Sequence, residues 1–300
     1  MELPLLSACA AHDAERLHRD PGLRRVRRGL YAAAEGVDAL ARWDRYLLDV
    51  RAVAASRPGA VLARESALAL AGLPFGAPVE VFTIGDPATP GVRHGVRNSH
   101  VAVAAADLEL DDGILRCSTR YALADLARRG RQSDAVAAVD AALRRGDTTI
   151  EGIADALGRQ GPRGQRRARW VLDFADPRSE SVGESWSRVA IHRVGAPAPD
   201  LQRHVPTALG DRWLDFCFDL PGRRPVGGEF DGLVKYGAVA TAEGRDAAAV
   251  VIDEKRREDA IRVSHDMARW IWDDVLHPLR LSRILAAAGV PVASTLLPGW

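Results

Sequence analysis

The sequence predicts a mixed α/β protein that folds as two domains. Its 300 residues suffice for two domains of ordinary size. Short runs with strand-like composition, such as 79–85, stand between segments whose apolar residues recur at helical spacing, such as 37–55. A stretch rich in glycine, proline and arginine, 159–181, separates the halves and places a domain junction near residue 175.

The first half is predicted as a short basic segment followed by an α/β domain. Residues 23–31 alternate as in a short strand pair, and further strands are expected at 79–85 and 100–108. Ser118 is placed to cap a helix, and Gly130 to end it. Helices are expected at 37–55, 59–75, 118–130, 132–146 and 149–160.

The second half predicts a helix, a three-stranded meander, a helix, a strand and a last helix. The first helix, 179–195, begins with serines that can cap it. A proline-rich connector leads into the first strand. The meander is expected at 196–205, 212–220 and 226–230, the next helix at 247–263, and the last strand and helix start at 267–275.

The bulk composition is that of a soluble protein without a membrane segment. The chain is 47% hydrophobic and carries a net charge of +1, so any surface for nucleic acid must be local. No apolar run reaches the roughly 18 residues of a membrane span, and the N-terminus lacks the basic start of a signal peptide. Three widely spaced cysteines favour reduced thiols in a cytoplasmic protein.

Lysine is nearly absent from the sequence. Lysine and arginine together number 41, and only Lys235 and Lys255 are lysines. Codon bias explains a general preference for arginine. A lysine that persists against it is expected where a compact ammonium is needed. Both lie close to the acidic stretch VGGEFDGLVKYG, 226–237.

This acidic stretch forms a predicted hairpin with the strand WLDFCFDL, 213–220. If the turn is centred on Arg223, Asp215 faces Asp231 and Cys217 faces Glu229, so all three carboxylates share one side. A turn one residue shorter would scatter the acids over both sides, because register parity flips every side chain. Only the first register groups the acids.

Three clustered carboxylates repel one another unless a cation compensates them. Mg²⁺ or Mn²⁺ held by Asp215, Glu229 and Asp231 would do so, and would polarise a phosphodiester and supply a hydroxide. Gly228 and Gly232 would leave room for a phosphate to approach. The alternative is a solvated edge strand with scattered acids, and the spacing alone does not decide between the two.

The second half resembles the PD-(D/E)XK nuclease superfamily, closest to very-short-patch-repair-like endonucleases. GEFDGLVKYG, EKRREDAIR and ARWIWDDV carry the resemblance, which covers about 176–276. It implies a restriction-endonuclease-like domain over 176–295, with DNA as substrate. Its catalytic residues would be Glu184, Asp215, Glu229, Asp231, Lys235 and Lys255, with Arg256 on the following helix contacting DNA. Asp231 occupies the position where the general pattern has lysine.

The first half is similar to AbiEi-type antitoxins and transcriptional regulators, through RRVRRGLYA, VLARESALALAGLPF and CSTRYALADLARR. This resemblance covers about 20–145. It implies a degenerate winged-helix remnant at 1–35 and an α/β regulator domain at 36–175. The arginines expected to contact DNA phosphates are Arg24, Arg25, Arg27 and Arg28.

Two functions therefore stay open. A third candidate, a structural interaction module, leaves the acid cluster unexplained. The first is a DNA-binding protein whose endonuclease-like domain uses Mg²⁺ or Mn²⁺ to hydrolyse phosphodiesters. The second is a catalytically silent autorepressor or antitoxin of a type IV toxin–antitoxin system. The partners implied are DNA, a cognate toxin or its operator, and a second copy of the chain in a homodimer.

Overall fold

The computed structural model describes residues 3–7, 14–85, 91–232, 256 and 259–299. These residues form a mixed α/β structure, as predicted. The chain divides into two compact units. Unit 1 comprises Met1–Ala138 and Gly146–Asp173, and unit 2 comprises Val139–Arg145 and Phe174–Trp300. Within the described ranges, no helix is both long and apolar enough to span a membrane.

Unit 1 begins with a small three-stranded sheet. Its strands are β1 (Leu6–Ser7), β2 (Leu23–Arg27) and β3 (Leu30–Ala33), in the order β1-β3-β2, with α1 (Ala14–Arg19) before β2 and α2 (Ala34–Ala39) after β3. Gly29 makes the turn between β2 and β3 at a φ of 76°, a conformation that favours glycine. The predicted strand pair is confirmed, and the winged-helix assignment stays a prediction.

A six-stranded sheet forms the rest of the β structure of unit 1, in the order β6-β7-β5-β4-β9-β8. The strands are β4 (Val61–Leu62), β5 (Val81–Ile84), β6 (Gly91–Arg93), β7 (Val96–Ser99), β8 (Leu108–Asp111) and β9 (Ile114–Cys117). The predicted strand at 79–85 is confirmed, but the one at 100–108 is wrong. A 3₁₀ turn at Ala105–Asp107 ends this segment and buries the Asp107 carboxylate fully.

Six helices of the described residues accompany these strands in the chain. They are α3 (Arg42–Ser56), α4 (Arg64–Leu70), α5 (Thr119–Arg129), α6 (Gln132–Arg145), α7 (Ile150–Gly158) and α8 (Gln165–Phe174). Of these, α3 and α4 pack on the sheet. Ser118 caps α5 by accepting a hydrogen bond from the Tyr121 backbone N–H, as its position predicted. The predicted helix at 59–75 starts late, because Val61 and Leu62 pair with β5 first.

Unit 2 contains a four-stranded sheet in the order β10-β11-β12-β13. The first three strands pair antiparallel, and β13 runs parallel to β12. This confirms the predicted meander. The elements are α9 (Val182–Arg193), β10 (Asp200–Thr207), β11 (Gly210–Phe218), β12 (Val226–Asp231), helical residues at 259–262, β13 (Asp266–Ile271), α10 (Trp272–Leu276) and α11 (Pro278–Ala287).

The core of unit 2 packs on one side of this sheet. Phe216 and Trp270 are fully buried with ring centroids 5.1 Å apart, and the Trp270 indole donates to Ser187 Oγ at 2.8 Å. Gly228 is needed here, because a Cβ at that position would lie 2.5 Å from the Trp270 ring. The space at Gly228, predicted to admit a phosphate, is therefore filled by the core. Burial of such aromatic side chains stabilises the fold by roughly 1.5–3 kcal/mol each.

Candidate functional site

The acidic hairpin has a different register from the predicted one. Cys217 lies opposite Gly227 and Phe216 opposite Gly228. Cys217 was expected opposite Glu229, so the pairing is shifted by two residues. Because the shift is even, residues of β12 keep their predicted sides. Phe230 packs on the core, and Glu229 with Asp231 points to the other side.

The alternation of β11 breaks at Asp215. In a regular strand Leu214 would share a side with Phe216, but it packs in a separate cluster with Val205 and Ile261. The ladder between β10 and β11 skips the pair Gln202–Asp215, and Gln202 has a φ of 50°. An irregularity of this kind re-aims the neighbouring side chain. The Asp215 carboxylate turns toward β12, where Oδ2 accepts a hydrogen bond from the Phe230 backbone N–H at 3.0 Å.

Glu229 and Asp231 are compensated by an arginine that the sequence analysis missed. Arg269 on β13 lies opposite Glu229 in the parallel register. Its Nη2 is 2.6 Å from Glu229 Oε2, and its Nη1 is 3.7 Å from Asp231 Oδ2. The three side chains are 21–32% exposed, so water screens them only in part. One guanidinium therefore bridges the two like charges.

Glu184 is engaged in a helix cap. Its buried carboxylate accepts hydrogen bonds from the Glu180 backbone N–H at 2.8 Å, from Ser181 Oγ at 2.7 Å and from Gln202 Nε2 at 3.1 Å. Ser181 Oγ in turn accepts from the Glu184 backbone N–H at 3.1 Å. Ser181 therefore caps α9, and the Glu184 carboxylate folds back on the residues before the helix. The Ser-x-x-Glu spacing of this cap is visible in the sequence.

The acids do not fit the predicted metal site in this arrangement. Among the described residues, no three acidic, histidine or cysteine side chains group closely enough to hold a metal ion. Glu229 already faces a cation at 2.6 Å, and Asp215 accepts a backbone N–H. A divalent ion would have to displace Arg269 from the acid pair. The grouping of Asp215, Glu229 and Asp231 around Mg²⁺ or Mn²⁺ stays a prediction. Lys235 and Lys255 lie outside the described residues.

The predicted DNA-binding arginines of β2 and β3 have different surroundings. Arg25 and Arg28 are exposed and have no ion-pair or hydrogen-bond partner for their side chains in the described ranges. Arg24 is exposed but pairs with Asp38 at 2.5 Å. Arg27 is half-buried, and its Nη1 donates to the His94 carbonyl at 3.0 Å. Arg27 therefore takes part in the packing of unit 1, and its assignment to the DNA-contacting group stays a prediction. Arg256 is an exposed helical residue.

A second exposed basic group lies on α8 in unit 1. Arg166 and Arg169 are three residues apart, which places them on the same side of the helix. Both are exposed, as is Arg163 just before the helix. None of the three pairs with an acid elsewhere in the described chain. Arg163, Arg166 and Arg169 thus present guanidinium groups that no acid of the described chain neutralises.

A buried ion pair in unit 2 was also missed by the sequence analysis. Arg188 Nη1 lies 2.8 Å from Asp140 Oδ2, and Asp140 is fully buried. The carboxylate also accepts hydrogen bonds from Ser185 Oγ and the Asp176 backbone N–H, each at 2.8 Å. Both carboxylate oxygens therefore accept hydrogen bonds, which identifies this pair as structural.

The site thus belongs to a two-unit α/β protein with an arginine-bridged acid pair. Comparison with known proteins finds two similar chains, both uncharacterized proteins of Mycobacterium tuberculosis: Rv2248 of strain H37Rv and MT2308 of strain CDC 1551. Each is 30% identical over 181 residues, a match that covers 55% of this chain and 66% of the relative. The match therefore spans just under two thirds of the relatives' length. No family model and no solved structure matches.

Proposed function

We propose that this protein binds DNA without cleaving it, as a transcriptional regulator or antitoxin whose endonuclease-like second unit is catalytically silent. The observation that carries the proposal is the contact of Arg269 with Glu229 and Asp231. In the nuclease pattern these two positions serve the metal and the scissile phosphate. An arginine bound to them supplies the positive charge that a metal ion would supply, but it cannot generate a hydroxide.

The endonuclease-like assignment is supported by the order of elements in unit 2. A capped helix precedes a three-stranded antiparallel meander, and a fourth strand pairs parallel with the third. This is the order that the resemblance of the sequence implies. The meander places Asp215 and the Glu229–Asp231 pair near one end of β12.

DNA binding is supported by the two exposed arginine groups of unit 1. With a net charge of +1, the chain can attract a polyanion only through such local groups. Arg25 and Arg28, and separately Arg166 and Arg169, have no acid within ion-pair distance among the described residues. They are free to contact phosphates, which gives affinity without sequence readout.

The binding half of the proposal is tested by the salt dependence of DNA affinity. Fluorescence anisotropy of a labelled duplex should show the logarithm of the affinity falling with the logarithm of salt concentration by about 0.9 per phosphate contact. The double variant Arg166→Gln/Arg169→Gln should bind more weakly at low salt and show a slope shallower by about 2. Arg42→Gln, on exposed α3, is the matched control and should behave as the wild type. Equal slopes in all three proteins would contradict the assignment of α8 to the DNA surface.

Metal-dependent cleavage is the second candidate function. It is favoured by the position of Asp215, whose carboxylate reaches the backbone of Phe230 between the other two acids. It requires that Arg269 leave the acid pair and that Lys235 or Lys255 approach the phosphate. A cognate toxin, its operator DNA and a homodimer remain predictions from the resemblance.

A further inference from the structure

Unit 1 contains a cavity of about 510 Å³ whose lining combines apolar residues with five arginines. Among the described residues, the charged members of this lining are Arg64, Arg97, Arg128, Arg129, Arg159 and Asp125. Its volume falls in the range of roughly 300–1,000 Å³ that is typical of small-molecule sites. None of these residues belongs to the proposed DNA surface or to the acid pair of unit 2.

Three of the arginines converge on the single aspartate. Asp125 Oδ1 lies 2.8 Å from Arg129 Nε and 3.5 Å from Arg128 Nη1, and Asp125 Oδ2 lies 3.6 Å from Arg64 Nε. A second carboxylate, Glu65, lies 3.3 Å from Arg64 Nε, so two carboxylates face these three guanidinium groups and one positive charge stays in excess. Arg128 is only 5% exposed, and burial lowers its pKa, so the excess positive charge is held at a cost. A bound anion would lower the free-energy cost of this buried charge.

Three of the arginines, Arg97, Arg129 and Arg159, are held by carboxylates and keep unused N–H donors. Arg97 uses Nε and Nη2 on Glu80, and Arg159 uses Nε and Nη2 on Asp107, with distances of 2.6–3.1 Å. Arg129 uses only Nε. The remaining terminal nitrogens make no hydrogen bond within the described chain. Fixed guanidinium groups with unused donors are arranged as a phosphate site requires.

The fold supports a ligand at this position. Thr83 and Asn98 come near the carboxyl ends of the parallel strands β5 and β7, and both line the cavity. Ligands of α/β sheets often bind beyond such ends. Arg64 has a φ of 54°, a rare conformation for a residue with a side chain, and its guanidinium stacks on Phe82 at 4.1 Å. An arginine held in this way at the cavity wall is positioned for binding rather than for solvation.

We propose that this cavity binds a phosphate monoester carried by a compound of mononucleotide size. The unused N–H donors of Arg97, Arg129 and Arg159 match the oxygens of a phosphate, and the volume leaves space for the remainder of a nucleotide. Apolar side chains, among them Ile84 and Val101, provide contacts for that remainder. The phosphate can belong to a free nucleotide or to the 5′ end of a DNA strand. This site goes beyond the proposed DNA surface and does not depend on it.

Calorimetric titration of the full-length protein at constant ionic strength tests the proposal. The probes are inorganic phosphate, the four 2′-deoxynucleoside 5′-monophosphates and the matching nucleosides. We expect at least one monophosphate to bind ten times more tightly than its nucleoside. Short oligonucleotides with a 5′-phosphate or a 5′-hydroxyl then distinguish the source, since only a site for DNA ends discriminates between them.

Variants assign the binding to the cavity. Arg129→Gln and Arg97→Gln change side chains that are 47% and 48% exposed, so the fold should persist. Each should weaken monophosphate binding about tenfold, as expected for loss of one charge-assisted hydrogen bond. Arg42→Gln should change it less than twofold. Monophosphates that bind no better than nucleosides, or wild-type affinity in both cavity variants, would overturn the proposal.

Discussion

Replacement of Arg269 by methionine should destabilise unit 2 by about 2 kcal/mol. Breaking a buried ion pair costs about 3–5 kcal/mol, whereas an exposed pair contributes about 0–1 kcal/mol. Arg269 and Glu229 are 24% and 21% exposed, so their pair lies between these limits. Methionine keeps most of the aliphatic length of arginine. The loss in free energy of unfolding therefore reports mainly the repulsion between the Glu229 and Asp231 carboxylates.

A double-mutant cycle measured by urea unfolding assigns the loss to this contact. Glu229→Gln alone should also destabilise the protein. The double variant should lose less free energy of unfolding than the sum of the losses in the two single variants, by about 1 kcal/mol or more. Arg283→Met, an exposed arginine of α11 with no partner in the described chain, is the control and should be nearly neutral.

Divalent metal supplies a second readout for the same variant. In the wild type the arginine occupies the acid pair, so millimolar Mg²⁺ should leave the unfolding midpoint unchanged. In Arg269→Met the guanidinium contact with the acids is lost, and Mg²⁺ should restore part of the stability. A fully additive cycle, or a wild type that Mg²⁺ stabilises more than the variant, would refute the assignment of Arg269 as the counter-charge.

Three further predictions concern unit 2. Glu184→Ala removes the acceptor of three hydrogen bonds at the start of α9 and should lower the free energy of unfolding by about 1–3 kcal/mol, whereas Glu184→Gln should lose less. Arg188→Met leaves the buried Asp140 carboxylate unpaired and should cost about 3–5 kcal/mol in the same urea assay. Burial lowers the pKa of His192 below its usual 6.5, so the protein should lose stability as pH falls from 6.5 through the folded-state pKa, and His192→Gln should flatten that dependence. A steeper loss in His192→Gln would contradict the sign.

Local patterns in the sequence predicted much of unit 2. Alternation along β12 correctly separates Phe230 from Glu229 and Asp231, because the side-chain period of a strand is two. The Ser-x-x-Glu spacing of Ser181 and Glu184 predicts the start of α9 and also explains why this glutamate is occupied. These features depend on neighbours within a few residues.

The missed features depend on long-range pairing. Arg269 meets Glu229 only because β13 returns parallel to β12 after a crossover, and no local pattern specifies that register. The break at Asp215 arises from the conformation of Gln202 on another strand. The arginines of the unit 1 cavity come from several separate segments, so no linear motif predicts the site. The short strands β6 and β7, rich in glycine and arginine, carry too weak an apolar signal to be predicted.

A plasmid assay tests most directly whether the protein binds DNA without cleaving it. Supercoiled plasmid should be incubated with purified protein in Mg²⁺ or Mn²⁺, at concentrations where a gel shift shows the plasmid fully bound, beside an Asp231→Ala control. We predict retarded plasmid that returns intact after removal of the protein, in both metals and with both proteins. Nicked or linear plasmid from the wild type, absent with Asp231→Ala, would contradict the account and establish the acid pair as a catalytic metal site.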